Sequence, residues 1–204
     1  MKAVILLATL KKQGLSNTET LSNFLADRMR KKDIEVLILD DEIDELIFSG
    51  VDKYQDVELK AVNKSSAGDD LKDAADAEKD KSEDLKPLLE KIKGVLGDKV
   101  KDVKASMRLA DSPSCIVSDE DEPSMKMQQM LRAMGQSQMP ALKPTLEINP
   151  DHEIVKKLLS ASDDALVNDA AWLLFEQALL IEGLPVENPG IFVQRLNRVL
   201  TRAV

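Results

Sequence analysis

Four carboxylates crowd one short stretch, Asp40, Asp41, Glu42 and Asp44, directly after an apolar run. Hard divalent cations take carboxylate oxygens, so such a cluster at a strand end could serve a small metal-dependent α/β enzyme. The glycine-bearing loop spacing of a calcium site is missing, and the plainer reading is a helix cap with a solvated acidic face. Other chemistry-bearing residues are sparse. His152 is the one histidine, with no second imidazole to share a metal, and Asn149-Pro150-Asp151 before it reads as a turn entering a helix. Cys115 is the one cysteine, set in an apolar stretch without a cationic activator, so a buried and inert thiol is expected. Gly94 and Gly97 do not form a phosphate-cradling loop. No residue is assigned to catalysis, and none to a metal or cofactor.

The elements that must position these residues come from 204 residues, 43% apolar but only 3% aromatic. That is enough for one substantial core or two small ones. With 37 acidic against 28 basic residues, net charge -9, the clustered cations that a nucleic-acid surface needs are lacking. One cysteine excludes an intrachain disulfide, and neither a secretory start nor a run of about 20 apolar residues is present. The expected compartment is the cytoplasm or an organelle matrix.

The chain opens in α/β style. Ala3 to Leu7 and Ile34 to Leu39 are short apolar runs suited to strands, and Leu21, Phe24, Leu25, Arg28 and Met29 repeat at helical spacing between them after caps at Ser16 to Thr18. A βαβ segment is predicted, with a further helix through Ile43, Leu46, Ile47 and Phe48. Residues 1–64 read as the end of an α/β domain. Residues 65–86 are charged and small, cannot offset ordering entropy by burial, and read as a linker. Residues 87–204 read as a second, mixed domain. It opens with an amphipathic helix through Leu88, Leu89, Ile92, Val95 and Leu96 that stops at Gly97, followed by strands near Val100 to Val103, Cys115 to Val117 and Thr145 to Ile148. Helices are predicted over Pro123 to Met134, Asp151 to Ser160, Asp169 to Glu182 and Pro189 to Ala203.

The closing pair has more apolar surface than a single packed stripe requires. Trp172, Leu173, Leu174, Leu180 and Ile181 spread around the first helix, while Phe192, Leu196, Val199 and Leu200 fall at i, i+4, i+7 and i+8 on the second. Asn188 and Pro189 supply a cap and a first-turn proline. A two-fold pairing would bury the surplus by placing the same patch against itself in a four-helix bundle. Upstream, an acidic run leads into Met125, Met127, Met130, Leu131 and Met134. Flexible, polarisable methionines adapt to varied apolar partners, although the same spacing also suits a core-facing stripe.

Several blocks then occur in a telling order: KKDIEVLILDDEIDEL at Lys31 to Leu46, KVKDVKASMRLADSPSC at Lys99 to Cys115, LEINPDHEIV at Leu146 to Val155, EQALL at Glu176 to Leu180 and an NP-x-x-F at Asn188 to Phe192. In these, and over nearly the whole chain outside the charged stretch, it resembles the heat-shock-protein-90 chaperones of the bacterial HtpG type, spanning the end of the middle domain and the C-terminal domain. The resemblance implies an ATP-dependent stress chaperone. In it this portion supplies homodimerisation and part of the unfolded-client surface, the latter on the methionine helix. It also implies that ATP and magnesium belong to an N-terminal domain outside this stretch, so no ATPase is expected of these residues. No MEEVD tail follows Val204, which favours a bacterial or organellar member.

Overall fold

A computed structural model describes residues 4–8, 36–39, 44–48, 50–51, 53–61, 63–64, 75–106, 109, 111–119, 121–135 and 142–203. The chain divides into two compact units, Met1–Lys72 with Ser118–Pro140, and Asp73–Val117 with Ala141–Val204.

In the first unit β1 (Val4–Ala8) runs parallel to β2 (Val36–Leu39), with Ile5 opposite Val36. Such a pair requires a crossover, as the predicted βαβ segment demands. The helix expected within residues 16–29, and the caps at Asp40 and Asp41, lie outside the described residues. Helix α1 (Asp44–Phe48) follows, then a hairpin that alternation alone did not flag, β3 (Lys53–Tyr54) against β4 (Val57–Ala61). Its turn places Gln55 at φ 53, a left-handed conformation usually advertised by glycine or asparagine. β4 then adds parallel to the other side of β1, giving the order β2-β1-β4-β3.

The second unit opens with α2 (Ala75–Leu96), which begins inside the charged stretch, ten or so residues before the predicted start. Alanine, lysine and glutamate favour a helix without any apolar stripe, so composition concealed it. From Leu85 onward the stripe appears: Leu85, Leu88, Ile92 and Leu96 are buried. Gly97, at φ 52, ends the helix. β5 (Asp102–Ala105), β6 (Ser114–Val117) and β7 (Thr145–Ile148) form a sheet ordered β5-β7-β6, with β7 parallel to β5 and antiparallel to β6. Every residue of the central β7 is buried, and Leu146 and Ile148 are wholly so. Truncating either to alanine should cost about 2 to 5 kcal/mol through lost burial and the cavity left behind.

The Asn149-Pro150-Asp151-His152 turn is held by its own side chains. The Asn149 amide donates to Ser112 O at 3.0 Å, its Oδ1 accepts from Asp151 N, and His152 Nδ1 accepts from Ile154 N at 3.1 Å to cap α4 (Glu153–Leu159). His152 is thus a capping residue. Helix α5 (Asp164–Ile181) starts earlier than its apolar spacing predicted, because Asp163 accepts from Ala165 N and Leu166 N. It packs across β6 and against α2, and Ser114 Oγ donates to Leu174 O at 2.6 Å to tie sheet to helix. Gly183, at φ 75, turns the chain after α5, and Leu184 N closes on Leu179 O at 2.9 Å. Helix α6 (Pro189–Ala203) then begins as its sequence announces, with Asn188 Oδ1 accepting from Ile191 N.

Candidate interaction surfaces

α5 has two working faces. One, formed by Val167, Ala170, Ala171, Leu174, Phe175 and Ala178, is buried in the core of the second unit. The opposite side carries Asp169, Trp172 and Glu176, one turn apart, and against it lies α6. The contact is charged. Arg195 Nη1 donates to Glu176 Oε1 at 2.9 Å and its guanidinium sits 4.4 Å from the Trp172 ring centre; Arg198 grips both oxygens of Asp169 at 2.6 and 2.7 Å; Arg202 reaches Asp163 at 2.8 Å. Trp172 also meets Phe175 edge to face at 6.4 Å.

Electrostatics differ sharply along this seam. The hydrogen bonds from Arg198 hold the Asp169 carboxyl below the usual aspartate range, overcoming the upward push of its burial. At Glu176 burial dominates and raises the carboxyl above its ordinary value despite Arg195. Glu176 is 5% exposed, and its Oε2 has no hydrogen-bond partner among the described residues.

With its arginines turned to α5, α6 leaves apolar residues outward. Leu196 is 37% and Leu200 50% exposed, and Leu180 and Ile181 at the end of α5 are exposed as well. Trp172, Leu173, Phe192 and Val199 are half-buried. Leu174, expected on the surplus face, is instead 3% exposed: it points from α5 into the chain's own core. Spacing missed Ile191 and Val193, both exposed. It also missed the arginine stripe, whose signal was present as Arg195, Arg198 and Arg202 opposite Asp169 and Glu176.

The methionine segment forms α3 (Met125–Ala133) in the first unit, capped by Ser124 Oγ, which accepts from Met127 N at 3.0 Å. Met134 is 69% exposed just beyond its end, Met130 is exposed, and Met125 and Leu131 are half-buried. Met127 departs from the expected surface set at 6%, since it faces inward beside Gln128. Lys64, just beyond β4, donates to the carbonyls of Asp119 and Glu122 in the turn that enters α3, and Ser118 N donates to Asn63 O at 3.2 Å.

Of the acidic cluster only Asp44 is described, within α1; Asp40, Asp41 and Glu42 lie outside the described residues. Among the described residues no three His, Cys, Asp or Glu side chains gather in a way that could hold a metal. Cys115 is half-buried, 3.9 Å from Glu147 Oε2, which also accepts from Ser106 Oγ. No helix among the described residues is long and apolar enough to cross a membrane.

The family model described as Hsp90 protein matches residues 12–204. Proteins named Chaperone protein HtpG are similar over most of the chain. That of Treponema denticola is 51% identical over 84% of the chain and 27% of its own length, and that of Treponema pallidum 42% over 87% and 28%. The one from Wolinella succinogenes is 41% identical over 92% of the chain and 31% of its own length. The chain therefore spans under a third of the length of these relatives.

Proposed function

The chain belongs to the Hsp90 protein family, and from that footing we propose that it is the self-associating, client-contacting portion of an ATP-dependent cytoplasmic chaperone. Two copies meet through α6 and the end of α5 in a four-helix bundle, and the outer methionines of α3 contribute to the surface for unfolded protein. The observation that carries the reading is the outward apolar stripe of α6. Leu196 and Leu200 stand one turn apart, in a helix whose polar side is already occupied by α5. Contiguous apolar surface of this kind is a feature of interfaces, and a two-fold contact satisfies it with one patch used twice. ATP hydrolysis is not assigned to any residue described. A metal-dependent enzyme built on Asp40 to Asp44 draws no support from the relatives, all of which are named as chaperones.

Sedimentation equilibrium across a dilution series tests the reading. A dimeric mass at tens of micromolar is expected, falling to monomer in a Leu196→Glu/Leu200→Glu variant, because both changes put charge where an apolar contact must form. Both residues face solvent in the single chain, so the fold should survive. A parent chain monomeric at every concentration would overturn the assignment.

A further inference from the structure

Along α6, Phe192, Arg195 and Val199 are half-buried, whereas Leu196 and Leu200 are exposed although apolar. Apolar burial alone would favour turning Leu196 and Leu200 inward as well, with the arginines left in water. Instead Arg195, Arg198 and Arg202 form one stripe and meet Glu176, Asp169 and Asp163 in antiparallel order along the helix pair. Turning α6 about its axis by the angle of a single residue, about 100°, would carry each guanidinium off its carboxylate. Glu176 would then lose the cation bonded to it, and leaving a buried carboxylate unpaired is unfavourable. Exposed ion pairs individually add little strength. Their joint consequence here is orientation.

We propose that the arginine stripe of α6 is a rotational lock, which holds the apolar stripe outward for a second copy of the chain. The proposal rests on the self-association reading and names what sets its geometry. Buried polar groups in coiled coils fix register and partner choice in the same way. Arg198 and Asp169 form the two-pronged centre of the lock, and Arg195 adds a cation–π contact over the Trp172 ring.

The test uses the whole chain with Arg198→Asp, with Asp169→Arg, and with both reversals together. The Arg198 side chain is 52% exposed, so its reversal does not bury a new charge, whereas that of Asp169 is 15% exposed, and circular dichroism checks that each variant stays folded. Each single reversal should raise the dimer dissociation constant about tenfold or more, since like charges then face each other across the seam. The double reversal should return it close to the parental value, because the pair is restored with its signs exchanged. Amide hydrogen exchange over 189–203 reads the lock without the dimer. In a Leu196→Glu/Leu200→Glu background the single reversals should still accelerate exchange in α6, and the double reversal should slow it again. A parent that dimerises, loses its dimer on Leu196→Glu/Leu200→Glu, and ignores the single reversals overturns the lock alone. Single and double reversals that weaken the dimer equally also overturn it. A parent chain that never dimerises overturns both the lock and the reading beneath it.

Discussion

Glu176 is the residue whose charge the helix pair places least comfortably. Its burial pushes the carboxyl above the ordinary 4.5, and the single bond from Arg195 does not bring it back. A carboxyl whose folded pKa is raised favours the fold fully below its unfolded value, and that contribution is lost as pH climbs through the folded one. Asp169 has the opposite sign: its depressed pKa supports the fold above the unfolded value and is lost as pH falls through the folded one. Glu176→Gln keeps an acceptor for Arg195 while removing the buried charge. Urea midpoints should therefore show the variant at least as stable as the parent near neutral pH. That margin should shrink as pH falls through the raised Glu176 value, where the parent's carboxyl becomes neutral as well. A variant less stable at neutral pH than in acid, relative to parent, would mean that the Arg195 attraction outweighs desolvation. The sequence showed an EQALL block here, but not that its glutamate faces α6, because burial of a charge on the far side of a helix leaves no mark in apolar spacing.

Among the elements, those defined by apolar periodicity were the most legible. Thr145 to Ile148, Cys115 to Val117 and Pro189 to Ala203 stand where spacing put them, and Gly97 and Asn188 end and start helices as their chemistry suggests. The misses have physical reasons. The β3–β4 hairpin turns on Gln55 rather than on glycine, and α2 begins in a segment with helix propensity but no stripe. The methionine helix was legible as a helix but not in its facing, since methionines serve core and contact alike. That ambiguity now divides by position. Met127→Ser should lower the unfolding free energy by about 2 to 5 kcal/mol, as buried truncations do, whereas Met134→Ser should leave it nearly unchanged. If the outer residues touch unfolded protein, Met130→Ser with Met134→Ser should weaken binding to a reduced, unfolded client at constant melting temperature. Lys64 bears on the same helix, because its ammonium joins the stretch after β4 to the turn entering α3. Lys64→Met keeps the stem but removes the donor, and should accelerate hydrogen exchange across 125–133 without altering exchange in α5. Equal protection in α3 would show that the Ser118 and Ser124 bonds hold the turn by themselves.

At the scale of the whole molecule, the two units differ in what association can do for them. The candidate contact lies wholly in the second unit, on α5 and α6, and so does Trp172, the chain's one tryptophan. Fluorescence of Trp172 therefore reports the unit that a dimer would stabilise. A dimer that unfolds to two separate chains gains about 1.4 kcal/mol of stability for each tenfold rise in concentration. Its melting midpoint should accordingly climb by a few degrees per decade for units of this size. Aggregation of unfolded chains has the reverse signature, because it removes the unfolded species and lowers the apparent midpoint as concentration rises. The sign of the concentration dependence is thus informative in itself. For the parent chain the Trp172 midpoint should increase with concentration. For Leu196→Glu/Leu200→Glu it should be flat, since each subunit then unfolds alone. For Arg198→Asp the rise should set in only at higher concentration, as the lock requires, and the double reversal should restore the parental curve. A parental midpoint unchanged over a hundredfold dilution around tens of micromolar would place the apolar stripe of α6 against something other than a second copy of this chain.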